Sequence, residues 1–87
     1  MKGRARIAWN LRAIRGERGV SQEQLAADAD VSRFYVSSIE TEAGNPSIDV
    51  LERLSTALAV DLSDLVAMPP KTGRRPMSLA SGRKKRT

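Results

Sequence analysis

Two helix starts stand eleven residues apart in the stretch SQEQLAADADVSRFYVSSIE, residues 21–40. Ser21 and Gln24 have the spacing of a capping box, in which each side chain bonds the backbone N–H of the other residue. Asp30 can adopt the left-handed backbone conformation of a tight turn, and Ser32 is a favourable N-cap residue. This stretch therefore predicts two short helices that meet across a tight turn.

Apolar residues at helical spacing predict three further helices around this pair. The first precedes GERG, where two glycines disfavour continuation, and is marked by Ile7, Leu11 and Ile14. The fourth follows PS and shows the clearest amphipathic pattern of the chain, with Ile48, Leu51, Leu54 and Leu58. A last short helix is capped by Asp61 and contains Leu62, Leu65 and Val66. The prediction is an all-α domain over residues 1–67.

Composition restricts the chemistry of this domain. The 87 residues contain neither Cys nor His, so disulfides and the usual zinc sites cannot form, and the commonest general base is missing. The acidic residues show no paired-carboxylate spacing. No apolar run approaches the roughly 20 residues of a membrane span. We expect a soluble cytoplasmic protein that is not an enzyme, holds no metal or cofactor, and does not bind a membrane.

Charge is distributed unevenly along the chain. Residues 1–20 carry six basic side chains and one acidic, whereas residues 21–65 carry two basic and nine acidic. Residues 66–87 carry seven basic side chains and no acidic one, among Pro, Gly and Ser. We predict that residues 68–87 are a disordered basic tail. The tail either follows a polyanion such as DNA or only increases solubility.

The segment LRAIRGERGVSQEQLAADADVSRFYVSSIE, with the later NPSIDVLERLSTALAVDLSDL, resembles the helix-turn-helix domain of the phage-repressor family (Cro/C1, or XRE). The resemblance covers about residues 5–66, and SQEQLA, VSRFYVSSIE and NPS occur at the separations typical of the family. It implies a compact five-helix, lambda-repressor-like fold. Within the family, SRFYVSSIE is similar to the R-x-Y-x-S-x-I-E pattern of restriction-modification controller proteins.

The resemblance implies that the third helix enters the DNA major groove. Base contacts would come from Arg33, Phe34 and Ser38, with Arg33 donating to guanine and Phe34 packing on a thymine methyl. The alternative is that Arg33 is only a solvated charge and that the ring of Phe34 rests on the surface of a neighbouring helix. Phosphate contacts would come from Gln22, Ser32, Tyr35, Ser37 and Asn45. Each of three of these residues has an alternative role without DNA: Gln22 would be a solvated first-turn residue, Ser32 would serve only as an N-cap, and Tyr35 would be a half-buried packing residue.

Further expectations concern structure and assembly. Arg15 and Glu40 match a family ion pair that joins the first and third helices. A homodimer would be formed by the last helix, with an interface at Leu62, Leu65 and Val66. Trp9 lies opposite the apolar stripe of the first helix, so it is expected to be exposed, either as part of a partner surface or as an isolated aromatic.

The chain departs from the family pattern in the loop TEAGNPS, where Glu42 lies in a region that is often basic. Asp30 also replaces the glycine that is common in the turn. The function implied is a sequence-specific transcriptional regulator that binds a palindromic operator in double-stranded DNA as a homodimer. The alternative is a protein-interaction module of antitoxin type that binds DNA only secondarily.

Overall fold

The computed structural model of the chain describes residues 2–70. It contains five α-helices: α1 (Gly3–Arg18), α2 (Gln22–Ala29), α3 (Arg33–Glu40), α4 (Ile48–Leu58) and α5 (Leu62–Val66). No strand occurs between residues 2 and 70. The predicted five-helix, all-α fold is confirmed. The tail predicted for residues 68–87 lies outside the described residues from Lys71 onward.

The starts of α2 and α3 are capped as predicted, with one difference. Ser21 Oγ accepts from the N–H of Gln24 at 3.0 Å, and Ser32 Oγ accepts from the N–H of Tyr35 at 3.0 Å. The Gln24 side chain does not return to Ser21, because its amide donates to Asp28 Oδ1 at 2.9 Å. The predicted capping box is therefore only half formed, since the Gln24 amide is engaged with a carboxylate one turn later and its oxygen does not accept from the N–H of Ser21.

The starts of α4 and α5 are capped too. Ser47 Oγ accepts from the N–H of Val50 at 3.1 Å. Asp61 forms a complete capping box, in which it accepts from the N–H of Ser63 at 2.9 Å while Asp64 accepts from the N–H of Asp61 at 3.0 Å. The Ser63 side chain and backbone N–H together lower the pKa of Asp61. Caps of this kind stabilise a helix by about 1 kcal/mol each.

Three helices end at a residue in the left-handed conformation: Gly19 (φ 66°), Asp30 (φ 58°) and Ala59 (φ 60°). Glycine adopts this conformation freely, and the short polar side chain of Asp tolerates it better than Ala does. Asp30 was predicted to form the turn between α2 and α3, and this is confirmed. Ala59 is the strained member of the set.

All five helices contribute to one core, and its fully buried side chains include Leu11, Ile14, Leu25, Val36, Ile39, Leu54 and Leu65. α2 packs against α3 and α4, while α1 packs against α3 and α5. Two predicted positions differ. Ile48 is 61% exposed because it is the first residue of α4 and burial begins one turn later at Leu51. Trp9 is half-buried rather than exposed.

A buried asparagine joins the two ends of the domain. Asn10 is 1% exposed, and its Nδ2 donates to the carbonyls of Leu65 at 3.0 Å and Ala67 at 2.7 Å. Arg6 Nη1 donates to the carbonyl of Val66, which lies between them, at 3.2 Å. The last carbonyls of a helix lack intrahelical donors. Two side chains of α1 therefore supply the donors that α5 lacks at its end.

Candidate nucleic-acid interface

The outer side of α3 presents Arg33 and Phe34 to solvent. Phe34 is 81% exposed, and its neighbour Arg33 is exposed as well. Val36 and Ile39, on the opposite side of the same helix, are fully buried. The prediction that Phe34 points away from the core is confirmed. A ring and a guanidinium thus project from the first turn of a helix that the core holds in place.

Three further candidates for phosphate contact, near the start of α3, differ in their exposure and in the contacts that they make within the domain. Ser32 is exposed, and its hydroxyl oxygen caps the helix while its hydrogen remains available to a phosphate. Tyr35 is half-buried and packs against the core. Ser37 is half-buried on α3. The phosphate contacts predicted for these three residues stay predictions.

Ser38 joins α3 to the loop that follows it. Its hydroxyl donates to the carbonyl of Tyr35 at 2.7 Å, and its own carbonyl accepts from the N–H groups of Ala43 and Gly44, both at 2.9 Å. The side chain is half-buried against Gly44. The predicted base contact of Ser38 stays a prediction, and the side chain has an evident structural use besides.

Glu40, at the end of α3, brings three helices together. Its side chain is 4% exposed and forms a two-pronged ion pair with Arg15 of α1, at 2.7 Å to Nε and 3.0 Å to Nη2. Oε1 also accepts from Nε2 of Gln22, the first residue of α2, at 3.0 Å. The expected Arg15–Glu40 pair is present. Its bonds fix the orientation of α3 relative to α1 and α2.

The side of α1 next to this carboxylate is cationic. Arg12 is exposed and its Nη1 donates to the backbone carbonyl of Glu40. The hydrogen bonds that Arg15 donates to Glu40 raise the pKa of Arg15; burial lowers this pKa, and the opposite charge of Glu40 raises it further. Arg15 therefore stays charged throughout the physiological range. Sequence reasoning did not single out Arg12, although its position one turn before Arg15 placed both on one side of α1.

The loop between α3 and α4 faces the start of α1. Glu42 and Asn45 are exposed in this loop, and together with Pro46 they line a groove whose other wall includes Lys2 and Arg4. The loop itself has no basic residue. The cations across this groove therefore come from the start of α1, which the sequence pattern did not connect with the loop.

The structure corrects the predicted dimer surface. Leu65 is 0% exposed and belongs to the chain's own core, so it offers no surface to a partner. Leu62 is half-buried against that core, and Val66 is 38% exposed. Met68, which was not predicted, is 60% exposed just beyond α5. The apolar surface at this end is therefore Leu62, Val66 and Met68.

The geometry of α2, a tight turn and an outward-facing α3 has a counterpart among known proteins. The helix-turn-helix family HTH_3 matches residues 11–65, which run from Leu11 in α1 to the buried Leu65 of α5. The chain belongs to this family. HTH_3 proteins are XRE-type, DNA-binding transcriptional regulators rather than enzymes.

The relatives of this chain include a phage repressor and a control protein, the two kinds of protein that the sequence resembled. The immunity repressor protein of Bacillus phage phi105 is 40% identical over 60 residues, which are 69% of this chain and 42% of the repressor. Control protein C.BamHI of Bacillus amyloliquefaciens is 45% identical over 47 residues, which are 54% of this chain and 58% of the control protein. The chain thus spans only about half the length of these relatives.

Solved structures of HTH_3-like regulators share the fold. A hypothetical transcription factor, NHTF, from Neisseria superposes with a TM-score of 0.76 at 35% identity, covering 78% of each chain. The restriction-modification controller protein C.AhdI from Aeromonas hydrophila superposes with a TM-score of 0.70 at 32% identity, covering 71% of this chain and 94% of that protein. The predicted family resemblance is confirmed.

The HTH_3 match includes α2 and α3 whole, together with Arg15, Gln22 and Glu40. It leaves out Lys2 and Arg4, which line the groove beside the loop. Over residues 2–70, no group of three or more Asp or Glu side chains has the arrangement of a metal site. In the same part of the chain, no helix is long and apolar enough to span a membrane.

Proposed function

We propose that this HTH_3 protein is a sequence-specific transcriptional regulator that binds a palindromic operator as a homodimer, with α3 in the major groove. The observation that carries the proposal is the 81% exposure of Phe34 beside the exposed Arg33. Exposing an aromatic ring on a well-packed helix gives no advantage to the isolated domain. Placed in the major groove, the same ring meets thymine methyl groups.

Arg33 and Phe34 differ in the base features that they can read. The planar guanidinium of Arg33 can donate two parallel hydrogen bonds to O6 and N7 of guanine. The ring of Phe34 has no donor or acceptor and discriminates by apolar contact alone. Ser38, whose hydroxyl hydrogen is used within α3, would contribute to base readout through its remaining acceptor capacity.

Phosphate contacts would surround these base contacts and set the position of α3. Gln22 lies in the first turn of α2, where unpaired backbone N–H groups attract anions. Ser32, Tyr35, Ser37 and Asn45 complete the predicted set. Arg12 joins it on structural grounds, because its guanidinium is exposed next to the end of α3.

Homodimerisation follows from the limited reach of one domain, since a single recognition helix reads only a few base pairs. Two copies about 34 Å apart would read two half-sites on one face of the duplex. We propose that Leu62, Val66 and Met68 form the interface, because they are the apolar side chains exposed or half-buried at the α5 end.

One observation favours the alternative, a protein-interaction module of antitoxin type. Residues 2–70 carry eight basic and ten acidic side chains, a net charge of −2. A domain that is negative overall gains little long-range attraction from DNA. In this alternative, Phe34 would be covered by another protein and DNA binding would be secondary.

Selection from a random duplex library, with footprinting on DNA flanking the protein's own gene, tests the proposal. The expected result is an enriched, two-fold symmetric site with half-site centres roughly 10 base pairs apart. Arg33→Ala should abolish the enrichment without changing the unfolding midpoint. Uniform, weak binding to all duplexes, together with capture of Phe34 by a protein partner, would favour the alternative.

A further inference from the structure

The side-chain amide of Gln22 is held by a buried carboxylate that belongs to the end of the recognition helix. Gln22 Nε2 lies 3.0 Å from Glu40 Oε1, although 18 residues separate the two in the chain. Glu40 is 4% exposed and Gln22 is half-buried. The residue expected to meet a phosphate is thus anchored to α3, and not only to its own helix α2.

The amide of Gln22 retains one donor after this bond. An amide –NH₂ carries two hydrogens, and Glu40 accepts one of them. Among residues 2–70, no other acceptor bonds Nε2 of Gln22. Because an amide is planar, fixing one N–H also fixes the direction of the other. The second hydrogen is therefore preoriented at the start of α2, where the backbone N–H groups also lack intrahelical acceptors.

The negative charge of Glu40 does not prevent a phosphate from binding beside the Gln22 amide. An unpaired carboxylate at 3.0 Å from the amide would repel a nearby phosphate, but Glu40 is paired with Arg15 through two hydrogen bonds. Arg12 adds a further positive charge at the backbone carbonyl of Glu40. The site can therefore orient an amide with a carboxylate while remaining attractive to an anion.

We propose that Glu40 is a positioning residue for DNA binding, which holds Gln22 so that its second N–H is directed at a backbone phosphate. This inference rests on the proposed DNA-binding function. In consequence, phosphate binding at α2 and the orientation of α3 are coupled through one carboxylate. A Glu40 that only joined helices would support folding without affecting what Gln22 contributes to affinity.

A double-mutant cycle distinguishes the two roles. Affinity for the duplex selected from the random library is measured for the wild type, Gln22→Leu, Glu40→Met and the double variant. We expect Gln22→Leu to weaken binding by roughly 3- to 10-fold per subunit, the value of one hydrogen bond. In the Glu40→Met background, Gln22→Leu should change affinity by less than about 2-fold, because the amide is no longer oriented.

Gln24→Leu is the matched control. Gln24 lies on the same helix and also bonds a carboxylate, that of Asp28 at 2.9 Å, but both side chains are exposed. Its replacement should leave affinity unchanged with Glu40 or Met at position 40. Glu40→Met could fail to fold because Arg15 is left unpaired. In that case the combined substitution Arg15→Met and Glu40→Met, which removes both charges, replaces Glu40→Met in the cycle.

Nuclear magnetic resonance of the wild-type protein provides a second measurement. One hydrogen of the Gln22 amide should be protected from exchange in the free protein, and both should be protected with the selected duplex. Independent, multiplicative effects of the two substitutions, or a second hydrogen that remains unprotected on DNA, would overturn the positioning role alone. Failure to enrich any duplex would overturn the proposed function and this inference with it.

Discussion

Gly44 passes so close to Ser38 that a Cβ atom built on it would lie 2.6 Å from Ser38 Oγ. The backbone N–H of Gly44 also donates to the carbonyl of Ser38 at 2.9 Å. The absence of a side chain at Gly44 therefore lets the loop after α3 lie this close to Ser38. Through this contact, the position of Asn45 depends on that of Ser38.

Gly44→Ala should destabilise the domain by about 1–3 kcal/mol, because the added methyl group overlaps Ser38. Gly16→Ala is the control, since a Cβ at Gly16 meets nothing within 4 Å and the residue lies inside α1. That change should stabilise by roughly 0.5–1 kcal/mol. Urea unfolding measures both, and equal stability of Gly44→Ala and wild type would show that the loop relaxes freely.

Ala59→Gly should stabilise the domain by about 0.5–1 kcal/mol, a few degrees in Tm, because Ala59 has a φ of 60° at the end of α4. Ala27→Gly, in the helical part of α2, should have the opposite effect by a similar amount. Thermal unfolding followed by circular dichroism compares them. A lower Tm for Ala59→Gly would contradict the assignment of strain to this position.

Asn10→Leu should destabilise by about 2–3 kcal/mol, although the side chains are similar in size. The substitution leaves the carbonyls of Leu65 and Ala67 without their donor. Gln24→Leu also removes an amide, but from an exposed bond, and should change stability by no more than about 0.5 kcal/mol. Matching losses for the two variants in urea unfolding would exclude a special role for Asn10.

Phe34→Ala should leave the unfolding midpoint unchanged, since the ring is 81% exposed. If Phe34 packs on a thymine methyl, the wild type should prefer thymine to uracil at one position of each half-site, by up to the ~1–3 kcal/mol of a good base contact. The variant should lose that preference. Binding assays on thymine- and uracil-substituted operators measure it, and a wild type indifferent to the substitution would refute the contact.

Removing residues 71–87 should reduce the salt dependence of DNA binding. This segment carries seven basic side chains, whereas residues 2–70 have a net charge of −2. Each phosphate contact contributes about −0.9 to the slope of log K against log salt, so two or three contacts would flatten it by roughly 2–3 per subunit. The 87-residue chain with those seven basic residues changed to Gln is the control. An unchanged slope in both would leave the tail without a DNA contact.

The helix starts could be predicted from sequence because an N-cap bond spans only three residues. Ser32 accepts from the N–H of Tyr35, and Asp61 accepts from the N–H of Ser63. The residues within one turn are therefore enough to predict each helix start. The outward direction of Phe34 followed from helical periodicity once Val36 and Ile39 were assigned to the core. Gln24 shows the limit of local rules, since its side-chain amide donates to Asp28 one turn later and does not accept from the N–H of Ser21.

By itself, then, the sequence determined the five helices, the tight turn and the exposed pair on α3, all of which depend on residues within one or two turns of each other. Tertiary structure decided that Leu65 is core rather than surface, that Asn10 holds the end of α5, and that Gln22 also bonds the Glu40 carboxylate of the expected Arg15–Glu40 pair. Asn10 and Leu65 are 55 positions apart. A contact between distant segments is set by how the helices pack, and the periodic pattern of one helix does not show which residue of another it meets.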